Sequence, residues 1–594
     1  MTRNTLRIGG ACGFWGEASH ATTQLLTDPA LDVLVYDYLA EITLSILARA
    51  RAKDPATGYA ADFVRDAMAP NLAAIADRGV RVLSNAGGMN PQACADALRA
   101  EIERQGLSLK VAVVEGDDLR GRIETVAEAP DMFSGAAYPP RDKVLSVNAY
   151  LGAGPMAAAL EAGAGIVITG RCADSALTLA ACMHAFGWQA DQLDLMAAGS
   201  LAGHLLECGP QATGGNFTDW EFVPGLATIG YPVAEMRADG VFTIEKPEGT
   251  GGLVTREAVG EQLLYEIGDP QAYLLPDVIC DFSGVTLREV GPGRVEVSGA
   301  RGRAPSGKLK VSTTWHDGFR AGQVLNFNGR GARAKGGAYA QAVLDRVAAK
   351  LSALNAPGFD KVSIECFGGR TGEGDYEEVA MTAAVQHQDA AAVALFLKEL
   401  IGAALATPPG LHFFTGAGRP KPSPVVALHS SLVPADLPEV TVTLDGAPVP
   451  FEAKSAAASD RHPPAPEPPV ADATGKEMVT VLLEDLAVAR SGDKGDAANV
   501  GVMARVPVYL PWIWAALTPG AVAAHFKGLA EGAVQRFYLP GTAAMNILMH
   551  NALDGGGIAS LRNDSQGKGF AQRLLSLPVA VPAGLVSNPS RRAG

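Results

Sequence analysis

The sequence predicts an α/β protein: a mostly parallel sheet with flanking helices, an α+β middle section, and a separate small α+β domain at the C-terminus. Three observations carry this. Short apolar runs alternate with helical segments through residues 1–240, the pattern of a sheet covered on both faces. Period-2, turn-rich segments replace that pattern over 241–452. A proline- and alanine-rich stretch at 453–475 then precedes a terminal segment, 476–594, with strand and helix signals of its own.

Taken in order, the expected strands of the first section are Leu6 to Gly9, Asp32 to Tyr36, Val80 to Ser84, Leu109 to Val114, Val144 to Asn148 and Gly165 to Thr169. Helices are expected between them, as at Ala60 to Ala76, Pro91 to Gln105 and Pro155 to Ala162. This alternation is Rossmann-like. Most of the strands run into glycine, asparagine or a carboxylate, where open α/β sheets bind ligands. In the middle section Arg294 to Ser298 and Lys308 to Trp315 read as strands, and Ala338 to Leu354 and Asp389 to Ile401 as helices. Ser455 to Asp472 holds five prolines and reads as an extended linker. Beyond it the pattern is strand, strand, a helix over 511–529, a strand over 533–538, a helix over 542–553, a strand over 558–562 and a helix over 569–575.

A chain of 594 residues is too long for one core. The formal net charge of −14, with no Lys/Arg cluster against it, argues against nucleic acid or an anionic membrane as partner. No signal-peptide core or membrane-spanning run is present, and the seven cysteines form no CxxC pair, so a cytoplasmic location with reduced thiols is expected. The histidines form no HExxH or other compact ligand motif, so no metal site is expected.

Candidate site residues follow from chemistry and placement. Asp37 and Glu41 end one strand and open a helix, and can gather with Glu115, Asp117, Asp118 and Asp174 at one sheet edge. Paired carboxylates serve as acid and base when their environments separate their pKa values; singly, each reads better as a helix cap or a solvated group. Asn85, Arg171 and Asn216 can grip a carbonyl or phosphate or act as structural hydrogen-bonders. Gly10, Gly13, Gly87, Gly88, Gly214 and Gly215 lie in loops where backbone can approach a ligand. Gly152 and Gly154 belong to a GxGxxA string between two expected strands, with Asp174 placed for a ribose; a nicotinamide dinucleotide, CoA or another phosphate would suit such a loop. Gly302 to Leu309 nearly spells a phosphate loop, but Leu309 replaces the hydroxyl and a strand follows, so it reads as a hairpin turn. His316-Asp317 ends a strand as a reactive-looking pair. Cys12 and Cys172 sit in glycine-rich loops that can activate a thiol or simply need a small residue.

In the last segment, Arg490-Ser491-Gly492-Asp493-Lys494-Gly495-Asp496-Ala497-Ala498-Asn499-Val500-Gly501 is a polar loop able to hold a charged group. Asp493, Lys494, Asp496 and Asn499 can complete a site from across a domain interface, or pair among themselves. Arg562 to Lys568 is a second polar loop.

The string Arg490 to Gly501 resembles the signature of the C-terminal domain of the acyclic terpene utilisation protein A (AtuA) family. The resemblance extends over nearly the whole chain through Ile8 to Gly16, Tyr36 to Glu41, Asn85 to Pro91, Thr169 to Asp174, Glu207 to Gly209, Thr213 to Phe217 and Asn551 to Gly557. It implies an α/β main domain followed by a ferredoxin-like domain. It also implies a role in breakdown of acyclic terpenes or related branched acids, handled as coenzyme A thioesters. It supplies no catalytic residue, so Asp37, Asn85, Arg171, Asp174, Asp493 and Lys494 rest on their chemistry. The expected function is hydratase- or lyase-type chemistry on an acyl-CoA, with CoA as part of the substrate and a homo-oligomeric state. An NAD(P)-dependent dehydrogenase using 152–157 and a non-catalytic binding component are the alternatives.

Overall fold

A computed structural model describes residues 4–17, 20–370, 375–413, 420–452, 462–557 and 559–586. The first section contributes strands β1 (Thr5–Cys12), β2 (Val33–Tyr36), β3 (Arg81–Ser84), β4 (Val111–Glu115), β5 (Val144–Ala149), β6 (Ile166–Thr169), β7 (Val233–Arg237) and β8 (Phe242–Glu245). β1, β2, β3, β6 and β4 lie side by side and all parallel. Every residue of β2 and β6 is buried, as strands covered on both faces require. The sheet does not stop there. β7 and β8 extend it antiparallel from β1, and Thr441–Leu444 extends it antiparallel from β4, to eleven strands. The sheet is therefore mixed, with a parallel centre, rather than mostly parallel. The middle section partly completes the first sheet and partly builds its own.

β5 departs from expectation. It leaves the parallel sheet and pairs antiparallel with the 21-residue strand Lys308–Asn328 of a second sheet. Its sequence, VLSVNA, explains the choice. Strands inside a parallel sheet are apolar on both faces, but β5 alternates Ser146 and Asn148 with apolar residues. Ser146 finds Thr314 at 2.6 Å, and Asn148 donates to Asp117 at 2.7 Å. The supposed βαβ unit across 144–169 thus spans two sheets. The strand Lys308–Asn328 also runs straight through His316-Asp317, which does not end a strand. Gly302 to Leu309 joins strands of different sheets rather than turning a hairpin. The helices Ala332–Ala353 and Ala390–Gly402 pack on the second sheet around Phe327, Tyr339 and Phe396.

Of the expected linker, 453–461 lies outside the described residues. From 462 to 477 the chain holds no helix or strand, and His462 rests on Asp269 at 3.0 Å. The C-terminal core comprises a four-stranded antiparallel sheet, the antiparallel pair Met478–Leu482 and Pro578–Pro582, and three helices. The Gly/Asp/Lys string is not an open loop. It forms two strands, Ala487–Lys494 and Ala497–Ala504, joined by a tight turn at Gly495-Asp496. The helix expected at 511–529 breaks in two at Leu517-Thr518-Pro519, because a residue before proline is pushed out of helical backbone. Thr518 then caps the second half. The helix expected at 542–553 is instead the strand Ala544–Met549, with neighbours on both sides. Central pairing and burial of Met545, Ile547 and Met549 override its helical composition. Residues 559–562 form turns rather than a strand, and Ile558 lies outside the described residues. Among the described residues no helix is long and apolar enough to cross a membrane.

Candidate active site

The parallel centre brings the carboxyl ends of five strands to one edge. Beyond β2, the Asp37 amide donates to the Cys12 carbonyl at 3.0 Å, which ties the ends of β1 and β2 together. Beyond β3, Asn85 donates to Asp37 Oδ1 and accepts from the Tyr38 amide at 2.7 Å. Asp37 is buried. Burial, with Asp174 nearby, pushes its carboxyl well above the usual range; Arg171 and Asn85 offset only part of this.

Beyond β6, Arg171 is buried and reaches Asp174 with one guanidinium nitrogen. Its plane lies 4.0 Å from the centre of the Tyr150 ring, and Lys310 sits over the same ring at 4.7 Å. The Tyr150 hydroxyl donates to Glu41 at 2.6 Å, and Lys310 pairs with Glu41 at 3.1 Å. Burial works to raise the Glu41 pKa, but Lys310 and Arg171 outweigh it and hold this carboxylate below its ordinary range. Asp117 underlies the group. It accepts from the Arg171 amide at 2.8 Å and from Asn148, and burial moves it to about 7. Asp118 instead pairs with Arg120 at an exposed position.

Glu207 joins from the end of the helix Leu193–Leu206. The glycines of the first loop permit this approach. A Cβ on Gly10 would lie 2.5 Å from the Leu206 carbonyl, and one on Gly13 would lie 2.8 Å from the Glu207 carbonyl. His204 holds Glu207 Oε1 at 2.9 Å. Burial raises the Glu207 carboxyl, with His204, Asp174 and Lys494 also acting on it.

The C-terminal hairpin covers this edge. Arg490 docks it: its guanidinium pairs with buried Glu261 at 3.0 Å and donates to the carbonyls of Gln211 and Gly215. Asn499 accepts from the Glu266 amide at 2.8 Å and donates to the Leu264 carbonyl, so it too belongs to the docking surface. Asp496 serves the fold, accepting from the amides of Leu553 and Gly555. Asp493 and Lys494 are left facing the main domain. Burial and the nearby Glu266 bring Asp493 to about 6, and Glu41 contributes to that rise. Lys568 pairs with Glu266 at 3.0 Å and Asp493 at 3.4 Å, and against burial it holds Glu266 ionised. The Lys494 charge is felt by Glu207, Glu266 and Asp493, yet among the described residues Lys494 makes no direct ion pair.

Asp37, Asn85, Arg171 and Asp174 thus lie together at the strand ends, with Lys494 acting on Glu207 and Glu41 on Asp493, so the six gather where the two domains meet. The remaining glycines serve the chain's own contacts. The Ala153 amide, at the helix start between Gly152 and Gly154, donates to the Asp277 carboxylate at 2.9 Å, and a Cβ on Gly152 would meet that same carboxylate. The place a pyrophosphate would take is filled by a side chain. Gly87 lies against the Thr169 carbonyl, Gly88 against Leu47, Gly214 against Leu253 and Gly215 against the Pro210 carbonyl. Asn216 is exposed and bonded to Gln211. Cys12 and Cys172 are buried, and burial pushes both thiols well up, so neither is an activated nucleophile. Two open surface depressions, of about 560 and 320 Å³, lie elsewhere, around Lys246 and Glu289 and around Arg78 and His184. Among the described residues, no group of three or more His, Cys, Asp or Glu is arranged to hold a metal ion.

Sequence reasoning underrated Glu41 and missed Tyr150, Lys310, Glu207, Glu266 and Lys568 as members of the cleft. Glu207 follows the last turn of a helix, within Glu-Cys-Gly, and was the one with a usable signal. Lys310 lies inside a long strand and carries none.

Two family models match the chain. That of the acyclic terpene utilisation family protein AtuA covers residues 6–444, and that of the AtuA ferredoxin-like domain covers residues 481–580. No curated protein and no solved structure matches.

Proposed function

We propose, from the premise that this chain belongs to the acyclic terpene utilisation family AtuA, that it is an acid–base enzyme acting on terpenoid or branched acyl-CoA thioesters by hydratase- or lyase-type chemistry. One observation carries the reading. Carboxyl groups in the cleft are driven apart in protonation, Asp37 up and Glu41 down, Asp493 up to about 6 and Glu266 down. Separated pKa values assign an acid and a base within one site. Burial shifts Asp37 toward its protonated form, and it is the acid. Oδ1 of Asp37 already accepts from Asn85 and Leu39, so the proton resides on Oδ2. Arg171 supplies fixed positive charge for a developing oxyanion, held in place by Asp174 and the Tyr150 ring. Lys494 faces the same cleft from the other domain and is uncommitted to any direct ion pair among the described residues, which suits it to a ligand carboxylate or phosphate. A dinucleotide at 152–157 is disfavoured because Asp277 takes the Ala153 amide.

Lys494→Ala tests the binding role. A charge-assisted bond contributes about 1.5–3 kcal/mol, so acyl-CoA affinity is expected to fall roughly ten- to a hundredfold. Melting temperature should stay near that of the wild type, because no direct ion pair is lost. Unchanged affinity with lowered stability would assign Lys494 to the fold instead.

A further inference from the structure

Resting on the acid–base reading above, we infer that Glu207 is the base of this cleft and that His204 positions it. Glu207 Oε1 is taken by His204 Nδ1, while Oε2 is buried with no hydrogen-bond partner, and the side chain as a whole is 10% exposed. His204 is itself buried, and the rings of Tyr273 and Phe282, at 5.7 and 6.4 Å between centroids, fix its plane. Its Nε2 is buried without a partner, so the ring is satisfied by a proton on Nδ1 donated to Glu207. A histidine and carboxylate that merely closed a helix end would leave the second oxygen to solvent. Here the groups around Glu207 are those of the cleft: Asp37 and Asp174 from the strand ends, Lys494 from the hairpin, Cys208 beside it, and Tyr273 beneath. Burial raises the Glu207 carboxyl, and His204 and Lys494 pull it back toward the ionised form. The buried Oε2 with no hydrogen-bond partner makes Glu207 the base, and the oxygen of Asp37 left free by Asn85 and Leu39 makes Asp37 the acid.

The step balances with water alone. Glu207 Oε2 takes a proton from water, and as that O–H bond breaks the water oxygen bonds to the β-carbon of an enoyl thioester. The carbon–carbon π pair moves to the α-carbon, which takes the proton from Asp37 Oδ2. The product is a 3-hydroxyacyl thioester, with Glu207 protonated and Asp37 ionised. One proton passing from Glu207 to Asp37 through solvent resets the site.

Two readouts on the full-length protein test this. In the ligand-free protein, infrared titration should show a carboxyl band that disappears in Glu207→Gln, and its midpoint should move up in His204→Leu, which removes a donor to the carboxylate. Lys494→Ala should move it the same way and substitutes if the histidine variant fails to fold. With a terpenoid enoyl-CoA, Glu207→Gln should lower hydration on the order of 10²- to 10⁴-fold. His204→Leu should shift the acid limb of the pH profile upward, which a purely structural histidine would not do. If the wild type hydrates the thioester and Glu207→Gln is fully active, the inference is overturned while the proposed function stands. If the wild type turns over no acyl-CoA, the proposed function falls. The titration then decides on Glu207 alone: a midpoint indifferent to both His204 and Lys494 overturns the inference.

Discussion

Asp37→Asn is expected to lower turnover of an acyl-CoA substrate by on the order of 10²- to 10⁴-fold, the usual contribution of a positioned acid. The variant keeps the oxygen that accepts from Asn85 and Leu39, and replaces the protonated oxygen by an amide donor of similar shape. The fold should therefore survive. The pH dependence gives the sign. Asp37 acts in its protonated form, so wild-type activity should fall as pH rises through its elevated pKa, and that alkaline limb should vanish in the variant. Stability moves accordingly. A carboxyl whose folded pKa lies above its unfolded value binds its proton better in the native state, so its contribution is lost as pH rises. At alkaline pH Asp37→Asn should be the more stable protein. An active variant with an unchanged pH profile would remove Asp37 from the chemistry.

Arg490→Ala carries the largest expected effect on stability. Arg490 and Glu261 are 4% and 0% exposed, and the guanidinium also donates to Gln211, Gly215 and Gln262. Removing one partner of a buried pair leaves an uncompensated charge and costs about 3–5 kcal/mol. Burial already lifts Glu261 to about 7 despite Arg490, which pulls it down. Without Arg490 the carboxyl should rise further and stay neutral. Below about pH 7 Glu261 is protonated in both native proteins, so the penalty of the variant should be flat there and grow as pH rises through about 7, where only the wild-type carboxyl ionises. Calorimetry across that rise in pH tests the sign. Because Arg490 seats the hairpin that carries Asp493 and Lys494, acyl-CoA affinity should fall with docking. Loss of stability with full affinity would show that the cleft does not depend on this contact.

The strand-end groups were legible in the sequence for a definite reason. Asp37, Asn85 and Arg171 each follow a short apolar run that becomes a parallel strand, and parallel strands end on one edge. The hairpin at 487–504 announced itself by composition, although its glycines and aspartates pair as strands rather than looping out. The glycine loops misled because a close approach looks the same in sequence whether the neighbour is a ligand or the chain itself. Gly10 admits the Leu206 carbonyl, and Gly152 admits Asp277. β5 misled because its apolar residues resemble those of the other strands, whereas its Ser146 and Asn148 decided the sheet. Tyr150, Lys310 and Glu207 reach the cleft from a loop, a strand interior and a helix end. They are far apart in sequence, and only the closed fold unites them.

Main-domain strand ends and the C-terminal hairpin are expected to form one acyl-CoA site. The most direct test is a thermal-shift screen of wild type and Lys494→Ala against terpenoid acyl-CoAs, free CoA and NAD(P). A ligand that binds only the native state raises its melting temperature by mass action. A rise is expected with acyl-CoAs in the wild type, and a smaller one in Lys494→Ala. A response to NAD(P) alone, or an acyl-CoA response identical in both proteins, would contradict it.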